Sequence, residues 1–217
     1  MGALIDNADV VWTAFKMTLW LSVSAGVLSF IWGVMLAAFR VSPIGPLRTF
    51  GTVYVNIFRN SPLTLIFLVM LNLAVPVLGL HVGLGVPMAI ISLTLYTSTF
   101  VCEVVRSGIN SVGVGQAEAA RSIGLTFFQT LGQIVLPQAF RSVVPPLINV
   151  YIAHVKNTSV AAGFAVFELT ASAQRLANGN PADVVGVFAG IGLCYLVITI
   201  PMGVASQRIE RKVAIAR

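Results

Sequence analysis

The sequence predicts an all-α integral membrane protein with five transmembrane helices and one long polar loop. Three observations carry that reading. Charged residues make up 9% of the 217 residues and hydrophobic ones 57%, with a mean hydropathy of +0.93. Water-facing domains carry about a quarter charged residues, so this chain lacks the polar surface to live in water. The apolar residues also gather into runs near the ~20 needed to cross a ~30 Å hydrocarbon core. Finally, residues 110–141 form a polar island between the third and fourth runs. The length suits a single transmembrane domain over residues 1–217.

The first predicted span is residues 13–39, flanked or studded by Trp12, Trp20 and Trp32. Ser22, Ser24, Gly26, Ser29 and Gly33 allow a neighbouring helix to approach closely. With Asp6 and Asp9 upstream and only Lys16 near its start, the run is poor material for a cleaved signal peptide, and the N-terminus is expected to stay. Ser42-Pro43-Ile44-Gly45-Pro46 breaks the pattern. Leu47, Phe50, Tyr54, Ile57 and Phe58 then recur at helical spacing beside Arg48 and Arg59, as in a helix lying in the membrane interface. The second span is residues 61–80, with Ser61 as N-cap, Pro62 at the first helical position and a bend near Pro76. A short uncharged loop leads to the third span, 87–109. The fourth, 144–167, opens at Pro145-Pro146 and is interrupted by Lys156-Asn157-Thr158-Ser159. A polar loop, 168–183, precedes the fifth span, 184–205, and a basic tail follows.

Orientation follows from the Lys/Arg bias. With the N-terminus outside, ten basic residues fall on the inner side, among them Arg40, Arg48, Arg59, Arg106 and Arg121. Only Lys16 and Arg175 fall outside, while Lys156 lies within the membrane. The positive-inside rule therefore places the polar island and the C-terminus in the cytoplasm. It also explains the net charge of +6 without any nucleic acid. Cys102 and Cys194 lie in apolar segments and read as buried thiols, and His81 and His154 stand alone, so no metal set exists. There is no Gly-Lys-Ser/Thr nucleotide loop and no nucleophile elbow, hence no catalytic residue and no bound cofactor on this chain.

Inside the island, Gln116–Leu125 has helix-forming composition. Glu118 is expected in its first turn, where free N–H groups and the helix dipole favour a negative charge. Ala119 and Ala120 are small enough to let a partner reach the backbone, and Gly124 suits the left-handed position after a helix end. A second short helix, 126–134, would stop ahead of Pro137. The spacing Glu118-Ala119-Ala120, three residues, Gly124, nine residues, Ile134, then Leu136-Pro137 matches the EAA coupling motif of ABC importer permeases. The chain resembles that family, of the type I permease fold. Further blocks resemble its polar amino-acid uptake branch, and most of all actinobacterial glutamate permease subunits. They are 59–64, 95–100, 106–110, 115–121 and 156–159.

The resemblance implies a cytoplasmic coupling helix that docks on ABC ATPase subunits, which would hold the ATP and Mg²⁺. It also implies a second permease subunit, identical or related, an extracytoplasmic substrate-binding protein, and a place in the bacterial plasma membrane. The cargo implied is a polar amino acid, glutamate first, with glutamine or another polar amino acid as the alternative. A stand-alone secondary transporter and a structural membrane subunit are the rival classes. The short loop between spans two and three, and His154, depart from the pattern and leave the substrate open.

Charges inside the spans supply the candidate pathway. Lys156 lies ten residues beyond Pro146, about 15 Å along a helix and near the midplane. A lysine there costs at least about 2.5–3.5 kcal/mol, so it must face a cavity or a counter-charge. With Asn157, Thr158 and Ser159 it could meet a substrate carboxylate, as discontinuous helices do in secondary transporters. An internal ion pair with Glu103 or another subunit is equally open. Asn60, Ser61 and Glu168 join the pathway candidates, Glu168 toward the substrate ammonium or the binding protein, although a solvated loop carboxylate is the plainer reading. Glu103 and Arg106, three apart, form a candidate inner gate pair worth only ~0.2–0.5 kcal/mol in isolation. His154 reads as a packed polar contact, and Gly186 and Gly190 as a helix-packing face.

Overall fold

A computed structural model describes residues 1–74 and 83–214. A five-residue helix α1 (Gly2–Asp6) leads through Asn7 into α2 (Ala8–Val41), about 50 Å long. On α2 the small residues Ala14, Thr18, Ala25, Ser29, Gly33 and Ala37 are buried at three- and four-residue spacing, and they seat the helix against α5 (Val86–Asn110) along its length. At Gly33 a Cβ would lie 2.6 Å from Val101 Cβ and 2.8 Å from the Ser98 carbonyl oxygen. Only a glycine permits that approach.

Helix α3 (Gly45–Asn60) is the expected interfacial helix. It buries Gly51 and Val55 while leaving Phe50, Val53 and Ile57 outward. It meets the following helical segment, Leu63–Leu73, at 106°. Within that segment α4 (Leu63–Val69) passes into a π turn, Met70–Ala74. Ser61 does not cap α4 as expected, because its hydroxyl donates back to the Ile57 carbonyl (2.8 Å) and Pro62 takes the cap position. The rest of the second span, with the bend at Pro76, lies outside the described residues.

After α5 come α6 (Val114–Ser122), α7 (Phe127–Thr130) and a π turn, Leu131–Val135, that runs into α8 (Leu136–Asn157). The fourth predicted span therefore starts eight residues early. Pro137 opens the helix, where its missing N–H costs nothing, and Pro145 and Pro146 lie inside it. The break at the end of that span is where the sequence put it. Helix α8 stops at Asn157, a 3₁₀ stretch covers Thr158–Phe164, and Ala165 turns left-handed at φ 61°. Helices α9 (Leu169–Gly179) and α10 (Val184–Ala214) complete the chain. Gly186 and Gly190 do serve packing, with their open faces filled by Asp183, Met1 and Leu4.

Three clusters make the core. Leu21, Phe67, Met88 and Leu93 gather around α2, α4 and α5. Ala14, Leu169, Leu176 and Val187 join α2, α9 and α10. Leu36, Val55 and Cys102 join α2, α3 and α5. Cys102 is buried and Cys194 half-buried. Outside the clusters, apolar side chains such as Val185 and Val197 stand free, as lipid-facing residues do. By length and apolarity three helices among the described residues qualify as spans, and a fourth if the bent α3–α4 pair counts as one. Helix α8 is long enough, at about 33 Å, but Arg141, Asn149, His154, Lys156 and Asn157 make it too polar.

The close approach at Gly33 gives a test. Gly33→Ala should lower the apparent melting temperature of the detergent-solubilised protein, for an overpacking cost of about 1–3 kcal/mol. Gly192→Ala, where a Cβ meets nothing within 4 Å, should leave it unchanged or slightly higher.

Candidate functional site

The polar island folds as an elbow. Helix α6 starts at Val114, with Gly113 as its N-cap, so Gly115 is helical and Glu118 sits in the second turn, not the first. The glycines that read as a loose lead-in are part of the helix, and the expected help from the helix N-terminus is correspondingly weaker. The far end of α6 is as expected. Gly124 has φ +92°, its N–H donates to the Arg121 carbonyl (3.0 Å), and the Leu125 N–H donates to the Ala120 carbonyl (3.2 Å). These two bonds close the helix in a Schellman turn.

Helix α7 then begins with a reciprocal cap. The Thr126 N–H donates to Gln129 Oε1 (2.9 Å) and the Gln129 N–H to Thr126 Oγ1 (3.4 Å). Helix α6 packs back on the π turn at 131–135. Ala120 is buried in the elbow, while Glu118, Ala119 and Gly124 are exposed on it. Ile123 beside them is 80% exposed, and sequence reading missed it. Ile134 is half-buried, while Leu136 and Pro137 are exposed at the start of α8.

A second feature is the groove between α5 and α8. It holds a cavity of about 440 Å³, with Tyr96, Thr97 and Phe100 on one wall and Asn149, Ala153 and Asn157 on the other. Behind it His154 is buried, with Nδ1 2.9 Å from Thr97 Oγ1 and Nε2 3.2 Å from the Ser22 carbonyl. A carbonyl only accepts, so Nε2 donates there, and in the neutral ring Nδ1 accepts from Thr97. This is the packed polar contact expected of His154, and it ties α2, α5 and α8 together.

The four residues 156–159 do not converge. Asn157 lines the cavity, Lys156 is exposed beside it, and Thr158 is buried with its hydroxyl donating to the Val155 carbonyl (2.7 Å). Ser159 is half-buried on another side. Pro146, Asn149, Ala153 and Lys156 instead form an exposed stripe on one face of α8. Lys156 has no ion pair among the described residues, so the pairing with Glu103 is not made within this chain.

Glu103 is engaged elsewhere. Arg106 Nη2 donates to its Oε2 (3.1 Å), Arg40 Nη1 donates to its Oε1, and Arg59 stands 3.6 Å away. The anticipated Glu103–Arg106 pair is thus part of a hub joining α2, α3 and α5. Arg40 and Arg59 escaped sequence reading because they are remote in the chain. Their common signal is a basic residue in the last turn of a helix.

Glu168 overturns its expectation. It is fully buried and caps α9, accepting from the Thr170 N–H (2.7 Å), the Ala171 N–H (3.0 Å) and the Tyr195 hydroxyl (2.6 Å), with Thr18 Oγ1 at 3.4 Å. It is a structural anchor and has no free face for a substrate ammonium. Asn60 is likewise turned back, donating to the Asn56 carbonyl (2.8 Å). Neither Asn60 nor Ser61 reaches the α5–α8 cavity.

The model of binding-protein-dependent transport system inner membrane components matches residues 29–215. The chain belongs to that family. Among its relatives, the probable glutamine ABC transporter permease protein GlnM of Bacillus subtilis is 39% identical over 212 residues, covering 98% of this chain and 97% of that protein. The glutamate transport system permease protein GluC of Corynebacterium glutamicum is 37% identical, with 94% of each chain covered. A crystal structure of an amino acid ABC transporter with histidines superposes with a TM-score of 0.87 over 96% of each chain, at 24% identity. That likeness shows the fold. The chain is therefore a membrane-embedded permease component of a transport system, with the resemblance read from its motifs borne out.

Two carboxylates of the permease, Glu168 and Glu118, differ sharply in setting. Glu168→Ala should destabilise it by about 1–3 kcal/mol, because buried donors lose their acceptor. Glu118→Ala, on the open face of α6, should stay within about 0.5 kcal/mol of wild type. Thermal unfolding in detergent checks both.

Proposed function

We propose that this chain is the membrane subunit through which an ATP-driven importer moves a polar amino acid inward, with glutamate as the leading cargo and glutamine next. The observation that carries the reading is the exposed elbow, Glu118, Ala119 and Ile123 beside the Gly124 turn, set in the chain between the two helices that line the cavity. Only Ser111–Gly113 separate α6 from the end of α5, and α7 with its π turn connects α6 to α8. A push on α6 is thus transmitted to the inner ends of both α5 and α8.

In the proposed cycle, partner ATPase subunits close on ATP and Mg²⁺ and displace α6, so that the α5–α8 groove faces outward. Hydrolysis lets the groove return inward. The stripe of Asn149 and Lys156 would not be stable against lipid. A second permease subunit, identical or related, covers it and completes the path. Lys156 then meets a carboxylate of the cargo, and Asn157 supplies an amide to the cavity. An extracytoplasmic binding protein delivers the amino acid to the outer mouth, and the elbow and C-terminus lie in the cytoplasm. Glutamate is supported by the likeness to the glutamate relative and by the basic groups of the groove. The equally strong likeness to a glutamine relative keeps glutamine second.

Two measurements test this. Co-expressed with its ATPase partner and reconstituted in liposomes, the permease should take up labelled glutamate only with ATP, and competition with the twenty amino acids should rank glutamate first. Glu118→Lys and Gly124→Asp should each lower that uptake at least tenfold and remove substrate-stimulated hydrolysis. Uptake by this chain alone on an ion gradient, or normal stimulated hydrolysis in both variants, would overturn the proposal.

A further inference from the structure

Below the first cavity, toward the Ser111–Ser142 end of the same groove, lies a second one of about 470 Å³. This is within the ~300–1,000 Å³ of small-molecule sites. Its polar lining is Arg59, Glu103, Ser107, Ser111 and Ser142. The two cavities share Pro146. From Thr97 in the upper one to Ser107 in the lower is ten residues of α5, about 15 Å. One amino acid cannot occupy both at once, so the groove offers two successive resting places.

The lower cavity carries a cation, Arg59, that is ion-paired to Glu103 but makes no hydrogen bond to it. Both oxygens of Glu103 are already taken at hydrogen-bond distance, Oε1 by Arg40 and Oε2 by Arg106. Arg59 at 3.6 Å is outside that distance and 49% exposed. Among the described residues it donates no hydrogen bond. Three guanidinium groups around one carboxylate also leave the hub with surplus positive charge. Ser111 and Ser142 are occupied with each other and with the carbonyls of Gly108 and Ala139. Ser107 is exposed, and its hydroxyl makes no bond among the described residues. An arginine fork held only by a 3.6 Å ion pair, in the same cavity as a free hydroxyl and with a neutralised carboxylate behind, can turn to a second carboxylate and bind it by two parallel hydrogen bonds.

We propose that Arg59 and Ser107 form an inner, exit-side site that holds the side-chain carboxylate of an acidic amino acid before release. This rests on the reading that the permease carries glutamate, and it adds a discrimination that Lys156 cannot make, since every amino acid has a main-chain carboxylate. Glutamine offers the inner site no charge.

The test uses the reconstituted complex with its ATPase domains and ATP in the liposome lumen. Preloading the lumen with glutamate should fill the inner site and slow wild-type uptake of labelled glutamate at least threefold, whereas the same load of glutamine should not. Arg59→Gln should abolish the difference, Arg59→Lys should keep part of it, and Ser107→Ala should weaken it. Equal slowing by both loads in wild type would overturn the inner site, and so would full discrimination in Arg59→Gln. Discrimination that appears only when phosphatidylglycerol is present would assign Arg59 to a lipid phosphate and likewise overturn it. Wild-type complex that takes up no glutamate at all would remove the cargo reading itself, a failure visible before any preloading.

Discussion

A polar group inside hydrocarbon must find its partner within the protein, and this constraint organises the helices. Glu168 takes donors from α9 and α10 and lies near Thr18 of α2. His154 of α8 reaches Thr97 on α5 and Ser22 on α2. Glu103 of α5 binds Arg40 of α2 and draws in Arg59 of α3. Apolar faces of Leu, Val and Ala slide past one another at little cost, since lipid is as apolar as they are. The three polar hubs fix the register that packing alone leaves loose, and α2 takes part in all of them. The small-residue stripe of α2 is what lets it sit close enough to do so.

Helix α8 breaks this rule on one face, the face on which the proposed path runs. Asn149 and Lys156 are exposed, with no partner among the described residues, while the outward faces of α2 and α10 are apolar. A chain that satisfies a carboxylate, an imidazole and an arginine elsewhere leaves this stripe open where a neighbouring subunit and a polar cargo would cover it. The stripe is also why α8 fails a test of simple hydrophobicity. The residues that disqualify it as an ordinary span are those that qualify it as a wall of a path.

Much of this was legible from local signals. The ends of α5, the amphipathic α3, the break after Asn157 and the left-handed Gly124 each depend on a few adjacent residues, and each lies where the sequence put it. The misreadings involve competition or distance. Ser61 could cap α4 or bond back to Ile57, and the second won. The helix expected from Gln116 takes in Val114 and Gly115 as well, which moves Glu118 two residues farther from its start and out of the first turn. Glu168 read as a loop carboxylate because its partner Tyr195 is 27 residues away and Thr18 is 150 away. Arg40, 63 residues from Glu103, was equally hidden. Nothing in the neighbourhood of either acid announces such partners.

The contacts also group the helices, with His154 as the bridge between α8 and the pair α2 and α5. Helices α2, α3 and α5 are joined by Glu103, by the close packing at Gly33 and by the Tyr54 hydroxyl, which donates to the Leu95 carbonyl (3.1 Å). Helix α8 is held to α10, where Ser206 donates to the Pro145 carbonyl (3.3 Å). Between these groups the α5–α8 seam carries both cavities. Toward its Ser111–Ser142 end Gly108 meets Val143 so closely that any side chain on Gly108 would collide with it. The Gly108–Val143 contact is the tight point of the seam, with the lower cavity beside it and the upper one farther along. The elbow carrying Glu118 and Gly124 is attached to both sides of it, just beyond Gly108. In the proposed cycle a displacement of α6 would act close to that contact and would widen the seam most at the level of Asn149 and Asn157.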